Sequence, residues 1–127
     1  VLTALLVFDV VLTAWGFLFP QWWFAAFHGT GYDDPEGFLR RCAANWLMFA
    51  VLQALALVRW RRAPGWLLLV AGARFGDMLT DWSYLVFATH TTWFAWVGLL
   101  GAGPLNLFAG LFLVRAWERV RVASGGS

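Results

Sequence analysis

Arg74-Phe75-Gly76-Asp77-Met78-Leu79-Thr80-Asp81-Trp82-Ser83-Tyr84 sits inside an apolar run from about Trp66 to Ala88. The run is long enough to cross a membrane, yet it carries one arginine and two aspartates. Spacings of three, four and three place Arg74, Asp77, Asp81 and Tyr84 on one stripe of a helix. A charge at bilayer depth costs roughly 2.5–3.5 kcal/mol on insertion scales, so such residues face the interior of a bundle and usually have work to do there.

Working outward, the whole chain has the same character. It is 61% hydrophobic, 19% aromatic and 13% charged over 127 residues, with a mean hydropathy of +0.68. Soluble domains run at about 25% charged. A soluble domain this small would be left with a large exposed apolar patch. The composition therefore predicts an all-α polytopic membrane protein in a single domain, residues 1–123. The net charge of +2 is small and dispersed, which argues against a nucleic-acid partner. Cys42 is the only cysteine, so no intrachain disulfide or CxxC pair forms.

Four helices are expected, at about 2–27, 42–58, 66–88 and 93–114, each near the ~20 residues that a ~30 Å hydrocarbon core requires. Strands are excluded because the runs are continuous rather than alternating. Pro20 interrupts the first helix, and Trp22 and Trp23 follow it as interfacial anchors. The 28–41 segment is the long polar connection. Within it Asp34 is expected to cap a short helix beginning at Pro35. Ser124-Gly125-Gly126-Ser127 reads as a linker or expression scar. Because the chain opens on Val1, the native start is expected to lie upstream.

Six of the nine arginines fall in the 59–62 turn and after Val114. The positive-inside rule then puts both termini in the cytoplasm of a cell whose inner membrane holds the protein. Trp22, Trp23 and Trp93 mark the outer boundary; Trp60, Trp66 and Trp117 mark the inner one. A faint echo relates Phe24–His28 to Phe87–His90 and Leu57–Arg59 to Leu113–Arg115, as two related hairpins would produce.

A rise of 1.5 Å per residue places Asp9, Arg74 and Asn106 at one depth, roughly 20 Å below the outer boundary. Gln53 and Asp77 fall near the midplane. Asp81 and Asn45 lie above them, and Tyr84, His28 and His90 lie at or near the surface. This polar ladder has two readings. In one it is a cavity that binds or conducts a proton, a cation or the polar headgroup of a lipid-like ligand. Asp77 and Asp81 are then the binding or relay acids, Arg74 the counter-charge, and Asp9, Gln53, Asn45 and Asn106 the supporting shell. In the other, the ladder is a self-paired network holding the helices together. Two carboxyls one turn apart favour the first, since simple glue does not need the second acid.

Other chemistries carry less. His28 and His90, with Asp33 or Asp34, are the only candidates for a metal or a haem, and no cofactor is expected. No Ser/His/Asp set, phosphate loop or helix-borne metal motif is present, so the chain leans away from an enzyme. Two other roles stay open: an accessory or assembly subunit of a membrane complex, and a membrane enzyme acting on a lipid or quinone. Beyond the lipid bilayer, the expected partners are further copies of the chain or a membrane subunit. Gly72 and Gly76 form a small-xxx-small pair expected to admit a neighbouring helix. Gly101 and Gly103-Pro104 are expected to loosen the last helix.

The layout of short crossings, with Pro20 closing the first, a loop leading into Leu39-Arg40-Arg41, and Gly72-Ala73-Arg74 in the third, resembles the DoxX-like group of small four-helix bacterial membrane proteins. Some members of that group resemble membrane subunits of quinone-linked oxidoreductases. The resemblance covers layout across most of the chain and assigns no functional residue.

Overall fold

The computed structural model describes residues 1–125, with side-chain surroundings given to residue 123. It is all α, with no strand among the described residues. Five helices follow in order: α1 (Leu2–Leu18), α2 (Pro20–Phe27), α3 (Phe38–Arg59), α4 (Gly65–Phe87) and α5 (Trp93–Gly125). By length and composition α3 and α5 can each cross a membrane, and α1 with α2 meets the same requirement only if taken together. Every 18-residue window of α4 contains Arg74, Asp77 and Asp81, which is why apolarity alone does not mark it.

The expected single helix over 2–27 is two helices, bent by 105°. Proline disfavours the helical conformation in the residue before it, and Phe19 accordingly leaves the helix at φ −130°, ψ 51°. Pro20 then opens α2, where its missing N–H costs nothing. The bend turns α2 across the end of the bundle. Trp23, expected as an interfacial anchor, is instead buried there. It stacks on Phe27 at 4.2 Å between centroids and meets Trp15 at 5.2 Å and Trp46 at 5.0 Å. Trp22 does point outward.

No helix begins at Pro35. Pro35 and Glu36 form a turn, Gly37 takes the left-handed conformation at φ 69°, and α3 starts at Phe38, earlier than expected. Asp34 caps α3 directly: Phe38 N–H donates to Oδ1 at 2.7 Å and Leu39 N–H to Oδ2 at 3.0 Å. At the far end, α5 runs unbroken past Pro104 to Gly125. Ser124 and Gly125 are thus helical rather than linker, and residues 126 and 127 lie outside the described residues.

The helices pack as two antiparallel pairs. In the first, Gly16 meets Ala43 and Asp9 meets Gln53, so α1 and α3 run in opposite directions. In the second, Trp82 lies on Gly103 and Phe75 on Gly110, so α4 and α5 do likewise. A methyl group added at Gly103 or Gly110 would collide with those rings. At Gly72 and Gly76 it would meet nothing within 4 Å. The close approach between helices therefore uses glycines on α1 and α5, and the small-xxx-small pair of α4 does not serve it.

Two apolar clusters fill opposite ends of the bundle. Leu2, Ala56, Leu67, Val70, Ala71 and Leu113 pack at one end, under Trp60, Trp66 and Trp117. Trp23, Phe27, Leu39 and Ala95 pack at the other, with Trp15, Trp46 and Leu99. Along α1, α3 and α5 the buried polar residue falls between these clusters, and on α4 Arg74 and Asp77 stand beyond Leu67, Val70 and Ala71.

Candidate functional site

Asp9, Gln53 and Arg74 are wholly shielded, and Asp77 and Asn106 are 7% exposed. These five come from four helices, and they touch. The Arg74 guanidinium grips Asp9 as a fork, with NH2 to Oδ2 at 2.8 Å and NH1 to Oδ1 at 3.3 Å. Such paired charge-assisted bonds are the strongest that side chains make. Gln53 Nε2 donates to the same Asp9 Oδ2 at 2.6 Å, tying α3 to α1 and α4. The Arg74 carbon lies 4.9 Å over the Phe49 ring, which closes the guanidinium's open face. Depth alone places Asp9, Arg74 and Asn106 in one layer with Gln53 higher; the structure instead brings Gln53 onto Asp9 and leaves Asn106 a 3.5 Å contact with Arg74.

From this layer the polar contacts step sideways. Arg74 NH1 reaches Asp77 Oδ2 at 3.5 Å and Asn106 Oδ1 at 3.5 Å. Asn106 Nδ2 in turn donates to Asp77 Oδ2 at 3.1 Å and approaches Asp81 Oδ2 at 3.5 Å. Asp77 is therefore held through one oxygen. Its Oδ1 has no protein partner, and Asp81 has only the long contact. One guanidinium faces three carboxyls, so the cluster as a whole is short of positive charge.

The under-partnered carboxyls line a cavity of about 700 Å³. Its walls are Trp23, Phe24 and Phe27 of α2, Phe38, Leu39, Trp46 and Phe49 of α3, and Leu99 of α5. Asp77, Thr80, Asp81 and Tyr84 of α4 give it a polar side. The 33–36 turn lies across it, contributing Asp33, Asp34 and Glu36. The volume falls in the ~300–1,000 Å³ range of small-molecule sites, as does the pattern of apolar walls with a few placed polar groups. The ladder thus divides in two. Asp9, Gln53 and Arg74 form a closed layer, Asp81 and Tyr84 belong to an open one, and Asp77 and Asn106 join them. Asn45 lines the cavity on an accessible face and makes no bond to the buried layer.

His28 and His90 come together through the backbone of His90. His28 Nδ1 lies 3.2 Å from the backbone carbonyl of His90, and the Tyr84 hydroxyl lies 3.0 Å from the same ring. Among the described residues no group of three or more His, Cys, Asp or Glu side chains converges as a metal site. A smaller space of about 490 Å³ is lined by His28, Tyr84, Thr89 and His90, and shares His28 and Tyr84 with the main cavity. Thr92 fastens this end: its N–H donates to the Phe27 carbonyl at 2.9 Å and its hydroxyl to that of Ala26, while it accepts the Ala95 N–H at 3.1 Å.

Sequence reasoning missed the aromatic wall. Cys42, Trp46, Phe49 and Gln53 stand three or four apart on α3, with Asn45 three beyond Cys42, so one helical stripe runs from the cavity to the buried layer. That spacing was the available signal, obscured because aromatic residues in so apolar a chain read as ordinary lipid-facing ones.

The 33–36 turn can be tested directly. Asp34→Ala removes both cap acceptors, and such losses cost about 0.5–2 kcal/mol. The expected result is a lower thermal midpoint, with faster hydrogen exchange confined to the Phe38 and Leu39 amides and the turn before them. No protein-family model, curated protein or solved structure matches this chain.

Proposed function

We propose that this chain is an integral membrane protein with four crossings, α1, α3, α4 and α5, and that it binds a small amphipathic molecule in the half of the bundle nearer α2. The observation that carries the proposal is the aromatic-walled cavity of about 700 Å³ ending on Asp77 and Asp81. Outward-facing Phe8, Val58, Phe87, Leu105 and Phe108 supply the apolar exterior that lipid requires. The arginines of the 59–62 turn and the end of α5 favour placing both termini in the cytoplasm of a bacterial inner membrane. The cavity then opens towards the outer face.

Binding is favoured over conduction because the layer beneath the cavity is closed. Asp9 and Arg74 meet at 2.8 Å and are covered by Gln53 and Phe49, wholly shielded from the cavity, with Gln53 Oε1 and Arg74 Nε left unpartnered inside the layer. The buried lower layer acts as glue, as interhelical polar contacts commonly do. The upper acids then have the cavity as their partner.

Gly76 provides the test. It lines the cavity, and a side chain there grows into open space without striking a packed wall. Gly76→Phe is expected to fill the site while keeping or raising the thermal midpoint, since glycine is the poorer helix former by about 0.8–1 kcal/mol relative to alanine. The purified chain would be titrated with amphipathic probes bearing cationic, neutral and anionic heads, following Trp23 and Trp46 fluorescence. Binding that weakens at least tenfold in Gly76→Phe supports the reading. Probe responses identical in the two proteins overturn it.

A further inference from the structure

We propose that the molecule this cavity accepts is an organic cation carrying apolar or aromatic groups, with its charge against Asp81 and Asp77 and its body between Trp23, Trp46 and Phe49. The inference rests on the cavity being a binding site and adds the class of its ligand. Five carboxyl side chains line the space: Asp33, Asp34 and Glu36 in the turn, and Asp77 and Asp81 on α4. No arginine lines it among the described residues. Arg74, which lies beside Asp77, pairs with Asp9 and with one oxygen of Asp77.

Asp77 is 7% exposed, with both its partners on Oδ2, so its Oδ1 is left without a protein partner on the cavity wall. Asp81 adds a second carboxyl one turn away whose only contact is 3.5 Å long. An anionic head would meet like charge at five of the cavity's polar side chains, with only neutral donors such as Thr80, Tyr84 and Asn45 among the others. A neutral head would leave Asp81 without a counter-charge of its own in an apolar-walled space, where opposite charge matters most. A cation answers both, and the indole and phenyl faces attract it as well. A zwitterionic lipid head satisfies the carboxyls only by bringing its phosphate among the other acids, which favours a free lipophilic cation over a phospholipid.

Tetraphenylphosphonium and tetraphenylborate carry the same four phenyl groups on opposite charges, so they isolate the sign of charge from shape. Each would be titrated into the purified chain and into Gly76→Phe, alongside a short-chain lysophosphatidylcholine kept below its micellar concentration. The expected result is phosphonium binding that Gly76→Phe abolishes, at least tenfold tighter than borate. Asp81→Asn, which preserves shape and the Asn106 contact, is expected to weaken it at least tenfold without moving the thermal midpoint. Asp81→Glu, which keeps the charge, is expected to retain most of it and covers the case of an unstable Asp81→Asn.

Borate or lysophosphatidylcholine binding as tightly as phosphonium, and lost in Gly76→Phe, would overturn the cationic ligand while leaving the cavity as a site. Phosphonium binding unchanged in a folded Asp81→Asn would do the same. If no probe distinguishes wild type from Gly76→Phe, the binding site and its ligand class fall together.

Discussion

Arg74→Met is expected to destabilise the protein by about 3–5 kcal/mol, the scale seen when one partner of a buried ion pair is removed. Methionine fills comparable space, so the loss is electrostatic and does not come from a void. The guanidinium is fully shielded and holds Asp9 of α1, Asp77 of its own helix and Asn106 of α5. Without it two carboxyls stand at the centre of the bundle with only amides beside them. Lost hydrogen bonds alone would cost about 0.6 kcal/mol each, the average for interhelical contacts. The uncompensated charge is the larger effect and sets the size of the prediction. Unfolding in mixed micelles, followed by circular dichroism, measures it.

A second substitution separates these causes. Asp9→Asn by itself removes the best partner of Arg74 and should also destabilise. Placed on Arg74→Met, the same change removes a stranded charge and keeps a group that Gln53 can bond. The double variant should therefore be more stable than Arg74→Met, a reversal of sign that only direct coupling produces. Strictly additive losses would mean that the two residues do not stabilise each other, whatever their distance.

The contents of this layer were readable from sequence because a helix has a fixed rise and a fixed period. Counting 1.5 Å per residue brings Asp9, Arg74 and Asn106 to one level, and spacings of three and four put Asp77, Asp81 and Tyr84 above Arg74 on one face. Such arithmetic says nothing of direction. It treated 2–27 as one rod, because hydropathy reports how apolar a stretch is and not that Phe19 and Pro20 turn it by 105°. Trp23 was misplaced for the same reason. An indole after a proline is an anchor if the chain goes straight on and a core residue if it folds back. The cavity was still less accessible, since an unfilled space belongs to how α2, α3 and α4 are set around it and to no residue in particular. Hence the ladder was legible as a ladder, and its division into a closed part and an open part was not.

The glycines give the second large effect, and their sign depends on the ring opposite. Gly103→Ala and Gly110→Ala would each improve helix propensity by up to about 1 kcal/mol if nothing else changed. The added methyl groups, however, fall on the indole of Trp82 and the phenyl of Phe75, which lie against the bare backbone of α5. Both glycines are buried, so the rings must move or the helices must separate. Overpacking of this kind costs typically 1–3 kcal/mol, which outweighs the propensity gain. The pair of substitutions is expected to lower stability by about twice that amount, because the two seats lie two turns apart and share no side chain. Truncating the ring reverses the argument. In a Trp82→Ala background the space over Gly103 is open, and Gly103→Ala should then stabilise the protein while remaining harmful in the parent. The separation of α4 and α5 also fixes Asn106 against Asp77 and Asp81, so Gly103→Ala should loosen the approach of those groups. Fluorescence titration with tetraphenylphosphonium would read this as weaker binding in the single variant, partly restored when Trp82 is truncated. Should Gly103→Ala have the same sign in both backgrounds, Trp82 does not sit on that glycine, and the contact that sets the spacing of α4 and α5 lies elsewhere along them.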